Sequence, residues 1–556
     1  MMSSVAFVGA GPTTIYTLHA LLKRASQPFS LTIFEEQASA GRGTPYRPGW
    51  NDPAMLSNIA SIEIPPLEES LLDWLTAQPS SRLTALDIDP ARINERAFYL
   101  RLALGEFFHD QFLALLARAK AQGIEVSVRT RCRVIDASSG ANGMTLTIRP
   151  RTGPIVNERF DHVVLATGHQ WPAEPEVRPG YFLSPWPASA LARIPACDVG
   201  IRGTSLTAID AVVALAVSHG EFIEKADGQL SYDAANETEP FHMTMMSRKG
   251  LLPEADFFGP LPYEPLSVFT ADAVERLLGA PDGELLSQAF ELFKKELLVT
   301  DPEYASQIGL ARLDLEEFHD RYFANRAEAD PFAWAEQNLR EAEQNYKAKY
   351  TVPWRYAILR MHEVMAILVP YFEQDDFQRF ARFFKPVFID DYATVPHKSI
   401  NRLLALHRAG KLDVKAVGDN HRIDSHRPEG GATVLLDGVP RHYSVFIEAI
   451  GQRALTTKDF PFPSLLRQGV VRDAVPTDSP GGPRGILIDD EFHPVSQDIP
   501  ADQLFCLSLP FILGRHPFIQ GITSSHEMGQ VVGEQLAAAI ARDVEPRFQS
   551  ETPAIA

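Results

Sequence analysis

Cysteine is scarce. Among 556 residues there are only Cys132, Cys197 and Cys506, far apart and without a Cys-x-x-Cys pair. That argues against a disulfide framework, a zinc site or a redox dithiol, and it points to a reducing, cytoplasmic setting. Basic residues are also in deficit: 52 Lys and Arg against 71 Asp and Glu leave a net charge of −19. Nucleic acid and anionic membrane are therefore poor candidates as partners, since both need local positive potential. The acidity is equally that of a solvated surface that keeps the chain dispersed. No stretch reaches the ~18 apolar residues of a membrane span. The opening MMSSVAFVGAG has no basic n-region, so it does not read as a signal peptide. Gly-x-Ser-x-Gly, Walker and His-Glu-x-x-His patterns are missing, which leaves hydrolase, nucleotidase and zinc-protease readings without support. No metal site is expected.

What is there begins at the first residues. The length predicts two or three domains, and 45% hydrophobic with 22% charged residues is ordinary globular composition. SVAFVGAGPTTIYTLHALLKR reads as strand, glycine turn and helix, and FSLTIFEE as the next strand. In this β-α-β unit Gly9 permits the tight turn and Gly11 removes a Cβ from the path of a pyrophosphate. Pro12 and Thr13 open a helix whose positive end faces the phosphates. Glu35, closing the second strand, supplies a carboxylate for ribose hydroxyls.

A second such unit starts at VGIRGTSLTAID. Gly203, Ser205, Leu206 and Thr207 form a comparable turn and helix start, with Ser205 where a glycine is usual. The serine costs close backbone approach, yet the helix start still offers an anion site. Arg248 and Lys249, after the next strand, are candidates for a 2′-phosphate, which would favour NADPH over NADH. They are equally readable as solvated cations at a strand end, and the whole unit as a relic kept for folding. Between about 265 and 420 the pattern is helical, with Arg355, Arg360 and His362 on one helix and His397, Lys398 and Asn401 opening another. GATVLLDGVPRHYSVFIEAIGQ returns to strands, and QGITSSHEMGQVVGEQLAAAIAR is a turn feeding a long helix.

HVVLATGH, with Thr167 and Gly168, resembles the turn that closes the FAD domain of two-dinucleotide flavoproteins, and VFIEAIGQ, ending at Gly451, resembles its second copy. With these turns and the GRGTPY and SRKGLLP segments, the chain resembles the FAD/NAD(P)-binding flavoprotein family related to flavin-dependent N-hydroxylating monooxygenases. An aspartate N-oxygenase branch that forms nitrosuccinate is similar. The likeness covers residues 1 to 260 and 380 to 545.

The resemblance implies that Gly41, Arg42, Gly43 and Tyr46 run along the flavin and that Asn58 lies near its ring, although Asn58 also suits a helix cap. It implies that Ile522 and Thr523 present N–H groups to the pyrimidine edge of the flavin. Ser525 and Glu527 also suit simple capping, and His526, the best single catalytic candidate beside Asn58, also reads as a structural histidine.

The implied activity is an FAD-dependent, NADPH- or NADH-consuming monooxygenase. It would oxygenate an amine nitrogen of a small amino-acid-like substrate, with molecular oxygen, through a flavin C4a-hydroperoxide. A flavin oxidase or reductase without oxygen insertion and a non-catalytic flavin-binding partner protein are the alternatives. The expected fold is α/β, with two Rossmann-like dinucleotide-binding domains and a large helical insertion. Residues 1–195 and 426–548 would form a discontinuous FAD domain and 196–262 an NAD(P)H-binding domain. Residues 263–425 would be a helical region completing that domain and the substrate pocket, and 549–556 a tail.

Overall fold

A computed structural model describes residues 2–544 apart from 142, 173, 227, 237–239, 280–283, 437, 477–478, 480–481, 483, 497–500 and 520. Positions 545–548 of the expected FAD domain and the 549–556 tail lie outside the described residues.

The first sheet is wholly parallel. Ser3–Val8 lies at its centre between Phe29–Phe34 and His162–Leu165, with Glu125–Arg129 and Leu504–Cys506 at the edges. Val5 to Val8 are buried on both faces, which is why this strand reads as a continuous apolar run rather than an alternating one. The chain leaves it for one neighbour and later returns on the other side, so its carboxyl end is a topological switch point where a ligand crevice forms. Helix α1 (Pro12–Arg24) starts there with Pro12 in its first turn and Lys23 and Arg24 in its last, as helix polarity favours. Helix α2 (Arg101–Ala121) packs against α1 and the Glu125–Arg129 strand. IEVSVRTRCRVIDA divides: Glu125–Arg129 joins the parallel sheet, while Cys132–Gly140 starts an antiparallel meander with Gly143–Pro150 and Val156–Phe160.

The second sheet repeats the plan around Asp198–Arg202. His242–Ser247 and Leu412–Ala416 lie parallel on one side, Val445–Glu448 and Tyr181–Phe182 parallel on the other, and Glu176–Arg178 closes the edge antiparallel. Segments expected in the first domain, before 195 and after 426, therefore complete the second sheet. Hydrophobic alternation cannot say which of two sheets a buried strand joins. Helix α3 (Leu206–His219) follows the central strand. Between the His242–Ser247 and Leu412–Ala416 strands lies the helical block, with a core of its own rich in phenylalanine, including Phe290, Phe293, Phe318, Phe384 and Phe388. Helix α4 (Pro353–Leu368) runs through it.

Helix α5 (Ile522–Val544) returns to the first domain and lies on α1. A Cβ on Gly529 would come 2.8 Å from the backbone of Tyr16 and Thr17, and one on Gly533 would come 2.6 Å from Ala20 Cβ. Two small residues one turn apart thus let the helices touch, and the Thr13 and Ser525 hydroxyls, 3.1 Å apart, tie their first turns together. Among the described residues no helix is long and apolar enough to cross a membrane.

Forcing this contact apart has a measurable cost. Gly529→Val is expected to destabilise the fold by roughly 1–3 kcal/mol, as overpacking of a tight interior does. A thermal melt with unchanged midpoint would show that the helices are not held by this seam.

Candidate active site

Each glycine turn is shaped by a carbonyl from the strand beside it. Gly9 has φ +104, and a Cβ there would lie 2.2 Å from the Ala166 carbonyl oxygen. Gly203 has φ +129, and its Cβ would lie 2.3 Å from the Ala449 carbonyl oxygen. Only glycine fits either position. Ala166-Thr167-Gly168 and Ala449-Ile450-Gly451 are thus structurally equivalent, one per sheet. Gly168 and Gly451 both have positive φ, and Thr167 is anchored by a hydroxyl contact of 2.7 Å to Ser508.

Around the first turn, Gly11 N-caps α1 without a side-chain cap, which leaves the first N–H groups of the helix for a ligand. A Cβ on Gly11 would come 3.2 Å from Gly43 Cα, and one on Gly43 would come 2.7 Å from Pro12 Cδ. The close approach of the two loops thus demands glycine at 43 and favours it at 11. Gly41 N donates to the Ala10 carbonyl at 2.9 Å, which completes the seam. Glu35 accepts from Ala10 N at 3.2 Å and Gln37 N at 2.9 Å. Burial raises its pKa, and these two N–H groups oppose the rise. Each of its oxygens keeps lone-pair capacity for a ribose hydroxyl. An uncapped helix start, glycine-only positions and a held carboxylate are what an adenine dinucleotide requires, so the residues fit FAD. Arg42 is engaged elsewhere, with Glu106 at 2.7 Å and Ser39 at 2.5 Å.

Around the second turn, Ser205 has φ −105 and ψ −160, close to Gly11 at φ −88 and ψ −172. Both are extended conformations open to any residue, so the serine is tolerated without strain. Its side chain is exposed and caps nothing, which leaves the start of α3 available to an anion. Arg248 faces Asp419 at 3.5 Å. Lys249 donates to His319 at 3.0 Å and sits 3.9 Å over the Phe323 ring, where burial and then Arg248 lower its pKa to about 8. Neither cation lines the cleft.

The second turn opens onto a cleft of about 1090 Å³, whereas Gly9, Gly11, Glu35 and Gly168 of the first do not line it. Tyr46, Asn58, Gly203, Ser205, Leu206, Thr207 and Gly451 line it, as do Ile522 and Thr523 at the start of α5. His526 does not line it; its ring packs edge-on to Tyr16 at 5.3 Å, in the seam between α1 and α5. Of a second set of lining residues the motif reading names only Glu527, and that as a helix cap. Glu63, Asp256, Glu363, Asp391 and Glu527 bring carboxylates to the cleft, with Tyr263 and Tyr346 among them. Tyr346 donates to Asp256, Thr394 donates to it at 3.3 Å, and His397 meets the Asp256 carbonyl at 2.8 Å.

Burial raises the pKa of these acids. Glu63 is pushed up to about 7 by burial and then by Asp256, and Asp391 to about 7 by burial against the pull of Arg355. Burial raises Asp256 too. Arg355 pairs with Glu254 and Asp391, and Arg360 donates to the Glu264 carbonyl, so neither is free for a substrate carboxylate. His362 lines the cleft, and burial lowers its pKa. No local motif could have announced the carboxylates. They come from distant segments of a chain rich in acids.

A carboxyl whose folded pKa exceeds its unfolded 4.5 holds its proton more tightly in the folded chain. Glu63 therefore stabilises the fold below about 4.5, and that contribution is lost as pH rises through about 7. Glu63→Gln should flatten the fall of melting temperature over this window. An unaltered pH profile would count against the assignment.

Comparison with known proteins adds a family and a fold. Residues 6–170 match an FAD-NAD(P)-binding family model, and residues 270–392 match the YdhS-like middle domain. The chain is 39% identical over 542 residues to the uncharacterized protein YdhS of Escherichia coli (strain K12), spanning 97% of this chain and 98% of that one. Among solved structures, the ornithine N-hydroxylase KtzI of Kutzneria sp. 744 matches with TM-score 0.50 at 13% identity, over 98% of this chain and 100% of that one. The cadaverine monooxygenase DfoA of Erwinia amylovora, bound to FAD, matches with TM-score 0.51 at 12% identity, over 97% and 95%. At such identities the likeness is one of fold.

Proposed function

The chain belongs to the YdhS family, and we propose that it is an FAD-dependent, NAD(P)H-consuming monooxygenase that oxygenates the nitrogen of a small cationic amine. The observation that carries this reading is the cluster of carboxylates in a cleft that the uncapped start of α3, its glycine turn and the start of α5 also face. The ornithine hydroxylase and cadaverine monooxygenase of the same fold act on amines by their names, which agrees with it.

In this reading Gly9, Gly11, Thr13, Glu35 and the Gly41–Tyr46 loop hold FAD, and the Gly203–Thr207 turn holds the nicotinamide dinucleotide. Bound FAD, once reduced, supplies the two-electron chemistry that activates molecular oxygen. Overall, one oxygen atom enters the amine, the other leaves as water, and NAD(P)H is oxidised. The protein must exclude water, orient the nitrogen and deprotonate it. An ammonium group has no lone pair to react. Glu63, raised to about 7, is partly ionised near neutrality, and in its carboxylate form it attracts the cation and then takes its proton; Asp256, also raised by burial, stands beside it. Asn58 faces the cleft from the flavin side, and the positive end of α5 favours negative charge placed beside it. A dicarboxylate such as aspartate meets like charge here, so the acidic wall favours a diamine or other cation.

The test is NADPH and NADH oxidation by the yellow holoprotein, screened against diamines, basic amino acids and dicarboxylates, with product mass read for one added oxygen. Asp256→Asn should raise KM for the amine by about tenfold or more while FAD stays bound, as the loss of a charge contact does. Peroxide release without an oxygenated product for any amine would overturn the proposal in favour of an oxidase.

A further inference from the structure

Helix α3 is buried from Ala208 to Ala216, and its one charged residue in that stretch is Asp210. A carboxylate there is costly unless paired. Its partner is Arg101 Nη2 at 2.7 Å, and both side chains are nearly out of solvent. Arg101 opens α2, where the helix dipole disfavours a cation and where no side chain caps the start. Neither charge suits its own helix; each is explained by the other. Stability alone does not account for the pair, because apolar residues of similar volume commonly replace a buried ion pair without loss.

Arg101 also holds a loop. Its N–H donates to the Met55 carbonyl and its Nε to the Leu56 carbonyl, both at 3.0 Å. Ser57 N donates to Tyr99 O at 2.8 Å, and Arg402 Nη1 to Ala54 O at 2.7 Å. Asn58, which follows Ser57, faces the cleft, as do Arg101 and Asp210 themselves, and Asp210 lies one turn past Leu206 and Thr207, which face it from the other domain.

We propose that Asp210 is a positioning residue: through Arg101 it fixes the Asn58 loop of the first domain to the helix start of the second, setting how the two dinucleotide sites face each other. The inference rests on reading the cleft as a flavin and nicotinamide site.

The test compares wild-type holoprotein with Asp210→Asn and with the double variant Arg101→Leu/Asp210→Leu, in which neither partner of the pair is left alone, although the buried Arg402 loses the attraction of Asp210. Hydrogen exchange of the amides at 55–58 should quicken about tenfold in both variants, as expected when a locally stabilising contact is lost. The rate of flavin reduction by NADPH should fall about tenfold, with NADP+ affinity within about threefold, as misplacement rather than lost binding produces. Loop exchange and reduction rate like wild type in a variant that retains FAD would overturn the proposal. So would joint loss of FAD and melting temperature in the double variant, which would mark the pair as structural. If wild-type protein is not reduced by either nicotinamide, the proposed activity fails, and loop exchange alone decides the role of Asp210.

Discussion

Two carbonyl oxygens set the architecture of the cleft. Those of Ala166 and Ala449 occupy the places where Gly9 and Gly203 would carry side chains. Each contact presses the end of one parallel strand against the turn after another, at the point where its sheet changes direction. The helices that follow must then start at the crevice with their N–H groups turned toward it. A methyl group at either glycine would push strand end and helix start apart.

From that constraint the electrostatics follow. Helix starts supply diffuse positive ends without a titratable cation, so the dinucleotide side of the cleft keeps its polarity at any ordinary pH. Part of the cleft wall is built from carboxylates whose protons are held by burial and mutual repulsion, so its charge responds near neutrality. Arg355 sits behind that wall rather than in it, neutralising Glu254 and steadying Asp391. The overall acidity of the chain is therefore not only a matter of solvation, since part of it is gathered inside.

Much of the dinucleotide architecture was legible in the sequence because it is local. Gly9 and the two Ala-x-Gly turns are short-range requirements of backbone conformation, and Gly11 and the Glu35 carboxylate fall within the same β-α-β unit. Ser205 was legible as a departure but not as a harmless one, because its extended backbone is visible only in three dimensions. Strand membership was less readable. Val445–Glu448 is apolar enough for either sheet, and only pairing assigns it to the second. Lys249 and His526 show the same limit, for a charged or aromatic residue beside a motif can turn away into a neighbouring core. The acid wall was the least accessible part, drawn from the first domain, the helical block and α5 together.

The edge strand Leu504–Cys506 and the helix seated on α1 through Gly529 and Gly533 are translated after every other part of the cleft. A nascent polypeptide can assemble both glycine turns while still attached to the ribosome, yet the floor of its prosthetic-group pocket stays open until those late segments emerge. Coloration of the protein should thus wait for these late segments, and a chain cut before Leu504 should yield a colourless product.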